Sequence, residues 1–89
     1  MKRHLSIRVY GRVQGVFFRQ TAKEQALRLG LTGYARNEAD GTVQIEVEGE
    51  ATAVDRFLAW SRVGPPSARV DRVETRAGEL AGYAGFKTM

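Results

Sequence analysis

The chain has 89 residues, no cysteine and a formal net charge of +4. We expect one domain over residues 1–89 with a single modest core, because a chain of this length buries only about two-thirds of the surface that its unfolded form exposes. The composition, 43% hydrophobic and 27% charged, is typical of a soluble globular protein, and the lack of cysteine excludes disulfides, thiolate nucleophiles and cysteine metal sites.

The hydropathy pattern predicts no membrane segment and no signal peptide. No apolar run approaches the roughly 18 residues that a transmembrane helix needs, and residues 1–4 lead directly into an alternating pattern. We therefore expect a cytoplasmic protein. The positive charge indicates an anionic partner, which could be a nucleic acid, an acidic surface or a small phosphorylated substrate.

The first predicted elements are a strand and a helix. Leu5, Ile7 and Val9 alternate with polar residues, which predicts a half-buried strand that the stretch 11–15 interrupts. An amphipathic helix follows and ends at Gly30. Its apolar positions, at helical spacing, are Phe18, Ala22, Ala26 and Leu29.

A hairpin and a second helix come next. Strands are predicted over 31–36 and 42–48, joined at Asp40-Gly41, where both residues can adopt a positive φ. The second helix covers about residues 51–63 and stops at Gly64 and the two prolines after it. Phe57 and Trp60 lie on its apolar stripe, and we expect both in the core.

The last elements are a fourth strand and a short extended segment over 82–89. Val70 and Val73 mark the strand, and their spacing of three predicts a β-bulge nearby because it breaks the period of two. The order strand, helix, strand, strand, helix, strand is that of the split β-α-β arrangement. This predicts an α+β sandwich with a four-stranded antiparallel sheet and both helices on one face.

Three features of the sequence could act together on an anion. The glycines of the 11–19 stretch let successive N–H groups face inward at a helix N-terminus, which forms an anion nest. Arg19 lies in the first turn of that helix, where its forked guanidinium can bind two phosphate oxygens. Asn37 ends the second strand. Taken singly, each has an ordinary explanation as a turn, a surface arginine or a turn residue.

Together these residues resemble a known family. Residues 11–19, GRVQGVFFR, resemble the acylphosphatase signature G-[RK]-V-Q-G-V-x-[FY]-R. Residues 33–49, GYARNEADGTVQIEVEG, are similar to the second signature, G-x-x-x-N-x-x-D-G-x-V-x-x-x-x-E-G. Residues 64–73 resemble the family's linker into its fourth strand. The resemblance covers essentially the whole chain in the expected order.

The resemblance implies a ferredoxin-like fold and the hydrolysis of acyl phosphates to carboxylate and inorganic phosphate, with the latter as product and inhibitor. It implies Arg19 as phosphate ligand and Asn37 as the residue that orients the attacking water. The phosphate-binding residues are then Gln14, Gly15, Val16, Phe17, Phe18 and Arg19. No metal-ligand cluster is visible, so we expect no metal, and we expect no cofactor. We also expect a monomer.

The chain departs from the family pattern at a few positions. Phe17 occupies a position where many members have glycine, although phenylalanine also occurs there. Ala35 replaces a more common branched residue, and the chain ends in 87–89, KTM, instead of the basic-aromatic ending often seen. None of these changes removes a predicted site residue.

Two alternatives from other classes remain open. The first is a nucleic-acid-binding module, but that fold would present stacking aromatics on its open sheet face. The outward positions of the third strand are instead Thr42, Gln44, Glu46 and Glu48, and the acidic ones repel phosphate. The second is a small-ligand-binding regulatory module, which would need neither Arg19 nor Asn37.

The remaining polar residues receive structural interpretations. We expect His4 at the surface near a frayed terminus. The acidic side chains of the hairpin and third strand are expected to be solvated. They are Asp40, Glu46, Glu48 and Glu50.

Overall fold

A computed structural model describes residues 1–89 as five strands and two helices. In chain order they are β1 (Lys2–Arg12), α1 (Phe18–Arg28), β2 (Thr32–Asn37), β3 (Val43–Glu50), α2 (Ala51–Ser61), β4 (Arg69–Gly78) and β5 (Phe86–Thr88). One sheet has the order β4-β1-β3-β2-β5. The predicted α+β ferredoxin-like order is confirmed. The sheet is mixed rather than wholly antiparallel, because the extended segment at the end of the chain pairs with β2 in parallel.

The core lies between the sheet and the two helices. The apolar residues of β1 and β3 alternate, as a strand with one buried face requires, and face the apolar stripes of α1 and α2. Phe57 is fully buried, and Trp60 packs against the core, as predicted. Neither helix has the length or the apolar character needed to cross a bilayer.

The helix that carries Arg19 ends where the sequence predicts. Gly30 has a φ of 72°, its N–H donates to Leu27 O, and the Leu31 N–H donates to Ala26 O at 2.8 Å. These are the two hydrogen bonds of a Schellman C-cap, which needs a left-handed residue.

The predicted bulge lies in β4, next to the end of β1 and the loop that joins β1 to α1. Val73 pairs with Val9 and Val70 with Gly11, so Asp71 is the extra residue. Gly11 has a φ of 132°, and a Cβ there would lie 2.1 Å from the Arg69 main-chain oxygen. The prediction that β1 breaks at Gly11 is therefore wrong, because β1 continues to Arg12. Only glycine permits the close pairing of β1 with β4 at this position.

The Asp-Gly hairpin is present between β2 and β3. The Gly41 N–H donates to Glu38 O at 3.1 Å, and the Glu38 N–H to Thr42 O at 2.8 Å. Gly41 alone has a positive φ, of 91°. Asp40 contributes through its carboxylate instead, which accepts from the Thr42 N–H at 3.0 Å and from its hydroxyl at 2.6 Å.

The segment 79–85 crosses the sheet on the face opposite the helices. The Ala81 and Gly82 N–H groups donate to the Glu48 carboxylate on β3, and Tyr83 packs edge-on against Tyr34 on β2 with ring centroids 5.7 Å apart. The Gly85 main-chain oxygen then accepts from the Gly33 N–H at 2.9 Å. This crossing carries the chain from β4 at one edge to β5 at the other.

Beneath this segment lies a buried cluster of charged side chains. The His4 ring hydrogen-bonds Glu48 through Nδ1 at 2.7 Å and Glu46 through Nε2 at 2.6 Å. The predictions of a surface His4 and of solvated Glu46 and Glu48 are therefore wrong, because the crossing segment covers them. Asp40 and Glu50 are exposed as expected.

Hydrogen bonding outweighs burial in setting the charge of this cluster. Burial by itself would lower the His4 pKa, but the hydrogen bonds to Glu48 and Glu46 raise it. Burial would likewise raise the Glu48 pKa, but the Ala81 N–H, the His4 ring and the Gly82 N–H lower it. Both ring nitrogens can donate at once only in the imidazolium form, so the two acidic partners favour the charged ring.

We expect His4→Gln to lower the free energy of unfolding by about 2 kcal/mol near pH 5.5, since it leaves two buried carboxylates without their cation. A raised His4 pKa stabilises the fold fully below the unfolded-state pKa of about 6.5 and loses this contribution as the pH rises through the folded-state value. The difference from wild type should therefore shrink at pH 9. Chemical denaturation at both pH values measures it.

Lys2→Gln is the matched control, because it removes a cation from the exposed start of the same strand. It should change the free energy of unfolding by less than about 0.5 kcal/mol at both pH values. A His4→Gln effect that does not vary with pH would contradict the assigned ion cluster.

Candidate active site

The loop between β1 and α1 has an unusual backbone. Gly15 has a φ of 72° and Phe17 a φ of 65°, so two left-handed residues stand one residue apart. The loop is anchored between them, since Val16 is buried and its main-chain oxygen accepts from the Ser67 hydroxyl at 2.7 Å. Alternation of left-handed and other residues turns successive N–H groups toward one side, as in an anion-binding nest.

The main-chain donors of this loop have no acceptor in the protein. The hydrogen bonds of α1 begin with the Thr21 N–H, which donates to Phe17 O at 3.0 Å, and none of the main-chain N–H groups of residues 14–20 donates within the chain. The first N–H groups of any helix are free in this way and carry the positive end of its dipole. The loop and helix start are therefore suited to an anion.

A cavity of about 250 Å³ opens at this loop. Its lining includes Arg19 from the first turn of α1 and Asn37 from the end of β2. The structure thus brings the two predicted catalytic residues and the loop to one place. The full lining is Val13, Gly15, Phe17, Phe18, Arg19, Gln20 and Asn37.

Arg19 is held by the end of the chain. Its Nη1 donates to the main-chain oxygen of Met89 at 2.5 Å. Met89 is in turn fixed by its own N–H, which donates to the Ala35 oxygen on β2 at 2.9 Å. A guanidinium has five N–H donors, so one contact orients the side chain and leaves others for a ligand. No motif or spacing in the sequence indicates this contact.

The Asn37 side chain has a buried acceptor that receives no hydrogen bond. Its Oδ1 is the one buried side-chain oxygen or nitrogen without a hydrogen-bond partner. Leaving such an atom unpaired costs about 1–3 kcal/mol, and buried polar atoms in proteins nearly always have a partner. A donor from outside the chain, such as a water molecule, would satisfy it.

Two of the predicted phosphate-binding residues do not line the cavity with their side chains. Gln14 donates through Nε2 to the main-chain oxygens of Glu38 at 2.8 Å and Thr42 at 3.0 Å. It thereby ties the loop to the hairpin that carries Asn37. The Val16 side chain lies in the core. Both can reach a ligand only through their main-chain N–H groups.

Two lining residues were missed in the sequence analysis. Val13 continues the apolar alternation of β1 and is buried, which made it indistinguishable from a core residue. Gln20 follows Arg19 directly in the first turn of α1, so its place beside an expected phosphate ligand was an available signal.

Phe17 is the one residue other than glycine with a left-handed backbone. It caps the N-terminus of α1 without a side-chain hydrogen bond, at a φ of 65° and a ψ of 20°. This conformation costs a bulky residue about 1–3 kcal/mol, whereas glycine adopts it freely. The glycine that the family pattern often carries at this position was an available signal of a left-handed backbone.

Positive charge in the cavity comes from Arg19 and the loop donors. The chain has no group of three or more histidine, cysteine, aspartate or glutamate side chains placed to hold a metal ion. Arg19 is the charged residue among those that line the cavity.

A larger cavity, of about 470 Å³, lies on the open face of the sheet and contains none of the predicted site residues. Most of its polar groups are already paired. Arg8 donates to Gln44 at 2.9 Å, and the ring of Tyr10 lies 4.0 Å under the Arg72 guanidinium. The one aromatic ring that lines this cavity is therefore already covered by a guanidinium, which weighs against the nucleic-acid alternative.

Comparisons with known proteins agree on one family. The family model for acylphosphatases matches residues 5–88. The chain is 46% identical to the acylphosphatase of Thermococcus kodakarensis over 83 residues, 93% of this chain and 91% of that protein. It is 48% identical to the Pyrobaculum aerophilum acylphosphatase over 88 residues, 97% and 90% of the two chains. The crystal structure of acylphosphatase from Bacillus subtilis superposes with a TM-score of 0.95 at 32% identity, covering 100% of this chain and 99% of that one.

Proposed function

The chain belongs to the acylphosphatase family and hydrolyses acyl phosphates, and from this premise we propose how its residues do so. The phosphate binds at the 14–19 loop, Arg19 neutralises its oxygens, and Asn37 places the attacking water. The observation that carries this proposal is that Asn37, whose buried Oδ1 has no hydrogen-bond partner in the chain, lines the same cavity as Arg19.

The phosphate subsite follows from the free donors. The main-chain N–H groups of residues 15–18 have no acceptor in the chain, Arg19 keeps donors beyond the one used on Met89, and three of the loop residues line the cavity together with Arg19. Phosphoryl transfer spreads negative charge over three equatorial oxygens. Donors that are already fixed stabilise that charge without reorganisation.

The water subsite follows from Asn37. Its Oδ1 accepts a hydrogen bond from the water, which turns a lone pair of the water oxygen toward phosphorus. The new P–O bond forms in line with the P–O bond that breaks, and the water proton passes to a phosphate oxygen or to solvent. Because the transition state is loose, the nucleophile is weakly bonded and needs placement more than a strong base.

The leaving group explains why so few residues suffice. The bond that breaks releases a carboxylate, whose conjugate acid has a pKa near 4. It leaves as an anion at neutral pH without a general acid. We propose that no metal or cofactor takes part, since Arg19 and the loop donors supply positive charge where the phosphate would lie.

We also propose the oligomeric state, the substrate size and the compartment in which the enzyme works. We propose that residues 1–89 act as one catalytic domain and as a monomer on small acyl phosphates, with inorganic phosphate as product and inhibitor. A reducing cytoplasm suits a chain without cysteine. A nucleic-acid partner is not part of the proposal.

Hydrolysis of benzoyl phosphate tests this function. We expect the purified chain to release benzoate and phosphate at the same rate with and without an excess of EDTA. The guanidinium and main-chain donors cannot be removed by a chelator, so turnover should not change. The measurement is the loss of benzoyl phosphate absorbance, with the uncatalysed reaction as the blank. Activity that disappears in EDTA and returns with a divalent ion would contradict the proposal.

A further inference from the structure

Phe17 has a strained backbone, and the fold does not require a phenylalanine at this position. The left-handed conformation at this position contributes to the curl of the loop, but glycine would supply the same curl without strain. A residue in a costly conformation at a ligand cavity is a reason to look for a function of its side chain.

The Phe17 ring does not stabilise the fold. It is 76% exposed, whereas the neighbouring Phe18 is 1% exposed. Phe18 packs on Trp60 with ring centroids 5.3 Å apart, but Phe17 has no aromatic partner and is not part of the core. Leaving such a ring in water is unfavourable.

The main chain of Phe17 is held beside the cavity. Phe17 lines the same cavity as Arg19 and Asn37. Its main-chain oxygen accepts from the Thr21 N–H at 3.0 Å and from the Thr21 hydroxyl at 2.8 Å. These two bonds fix the backbone from which the ring projects.

We propose that Phe17 determines specificity by contacting the acyl group of the substrate, with a preference for acyl groups that present a flat apolar face. This inference rests on the proposed function. With phosphate at the loop donors, the acyl group is one bridging oxygen away and leaves the cavity beside the exposed ring. Offset or edge-on packing of two rings is favourable and buries apolar surface of both.

Two substrates separate this role from that of the loop backbone. We expect Phe17→Gly to lower the ratio of kcat/KM for benzoyl phosphate to kcat/KM for acetyl phosphate about tenfold, chiefly through the KM of benzoyl phosphate. A tenfold change corresponds to about 1.4 kcal/mol. Phe17→Tyr keeps the ring and should keep the wild-type ratio of the two values. The inhibition constant of inorganic phosphate, measured in all three proteins, reports separately on the loop donors.

Leu27→Ala is the matched control, because Leu27 is also an exposed apolar residue on α1 but does not line the cavity. It should leave the substrate ratio unchanged. Glycine relieves strain at position 17, so the Phe17→Gly protein should fold.

The outcomes distinguish this inference from the proposed function. An unchanged benzoyl-to-acetyl ratio in an active Phe17→Gly enzyme would overturn the specificity role alone, as would an equal loss on both substrates. A wild-type chain that hydrolyses neither substrate would overturn the proposed function and this inference with it.

Discussion

Replacing Arg19 by lysine is expected to lower kcat/KM for benzoyl phosphate by about 10²–10³, the range typical for removing one preorganised donor to a developing negative charge. Lysine keeps the charge but loses the planar fork that binds two phosphate oxygens at once. The effect should fall on both kcat and KM, since a phosphate ligand acts in the ground state and in the transition state.

The structure makes this substitution more severe than a lost hydrogen bond. Arg19 uses one N–H donor on the Met89 oxygen at 2.5 Å and keeps other donors for phosphate. A lysine ammonium is a point charge on a flexible stem, so it cannot hold the chain end and two phosphate oxygens in one fixed plane. Binding and orientation should therefore weaken together.

Phosphate binding provides an independent measurement. Inorganic phosphate should inhibit the wild type competitively and raise its melting temperature, because a ligand that binds only the folded state stabilises it by RT ln(1 + [L]/Kd). Arg19→Lys should lose most of this shift.

Arg28→Lys is the matched control, since Arg28 lies exposed in the last turn of the same helix. It should leave kinetics and the phosphate shift unchanged. Normal kinetics in Arg19→Lys would contradict the assigned role.

Much of the fold could be predicted because its signals are local. The alternation along β1 and β3, the helical spacing of Ala22 and Ala26, and the Asp-Gly step each depend on residues close in sequence. The bulge was also predictable, because the spacing of Val70 and Val73 records a break in strand period.

The parts that were mispredicted depend on contacts between distant residues. His4 and Glu48 are 44 positions apart, and their burial results from segment 79–85, which crosses the sheet over them. Nothing in the composition of that segment shows which face it covers. A titratable residue therefore looked solvated in the sequence although it is enclosed in the structure.

The candidate site divides in the same way. The motifs identified Arg19, Asn37 and the loop, and the structure places them at one cavity. The link from Arg19 to Met89 could not be predicted, since it is set by a contact between residues 70 positions apart. The strain at Phe17 had one signal, the glycine that many family members have at that position, but the backbone angle itself comes from the structure.

Substituting Asn37 is the second large expected effect. We expect Asn37→Ala to lower kcat by about 10²–10³ while phosphate inhibition stays close to that of the wild type, because the residue acts on water and not on phosphate. The free energy of unfolding should not fall, since the Oδ1 that is removed has no hydrogen bond to lose and its burial without a partner is unfavourable. Activity and stability thus respond separately.

Asn37→Asp is the sharper test because it nearly preserves size and shape while adding a possible base. If base strength limited the reaction, this variant would keep or gain activity. If water placement and charge matter, a carboxylate in the cavity repels the anionic substrate and competes for Arg19, so kcat should fall and phosphate inhibition should weaken. We expect the fall.

The comparison uses kcat, KM and phosphate inhibition constants for wild type, Asn37→Ala and Asn37→Asp. Gln25→Glu is the control for added charge, since it makes the same change from amide to carboxylate on α1 at a residue outside the cavity. It should behave as the wild type. A fully active Asn37→Asp enzyme would show that the water needs a base or no orienting group at all, and the unpartnered Oδ1 would then lose its role in the reaction.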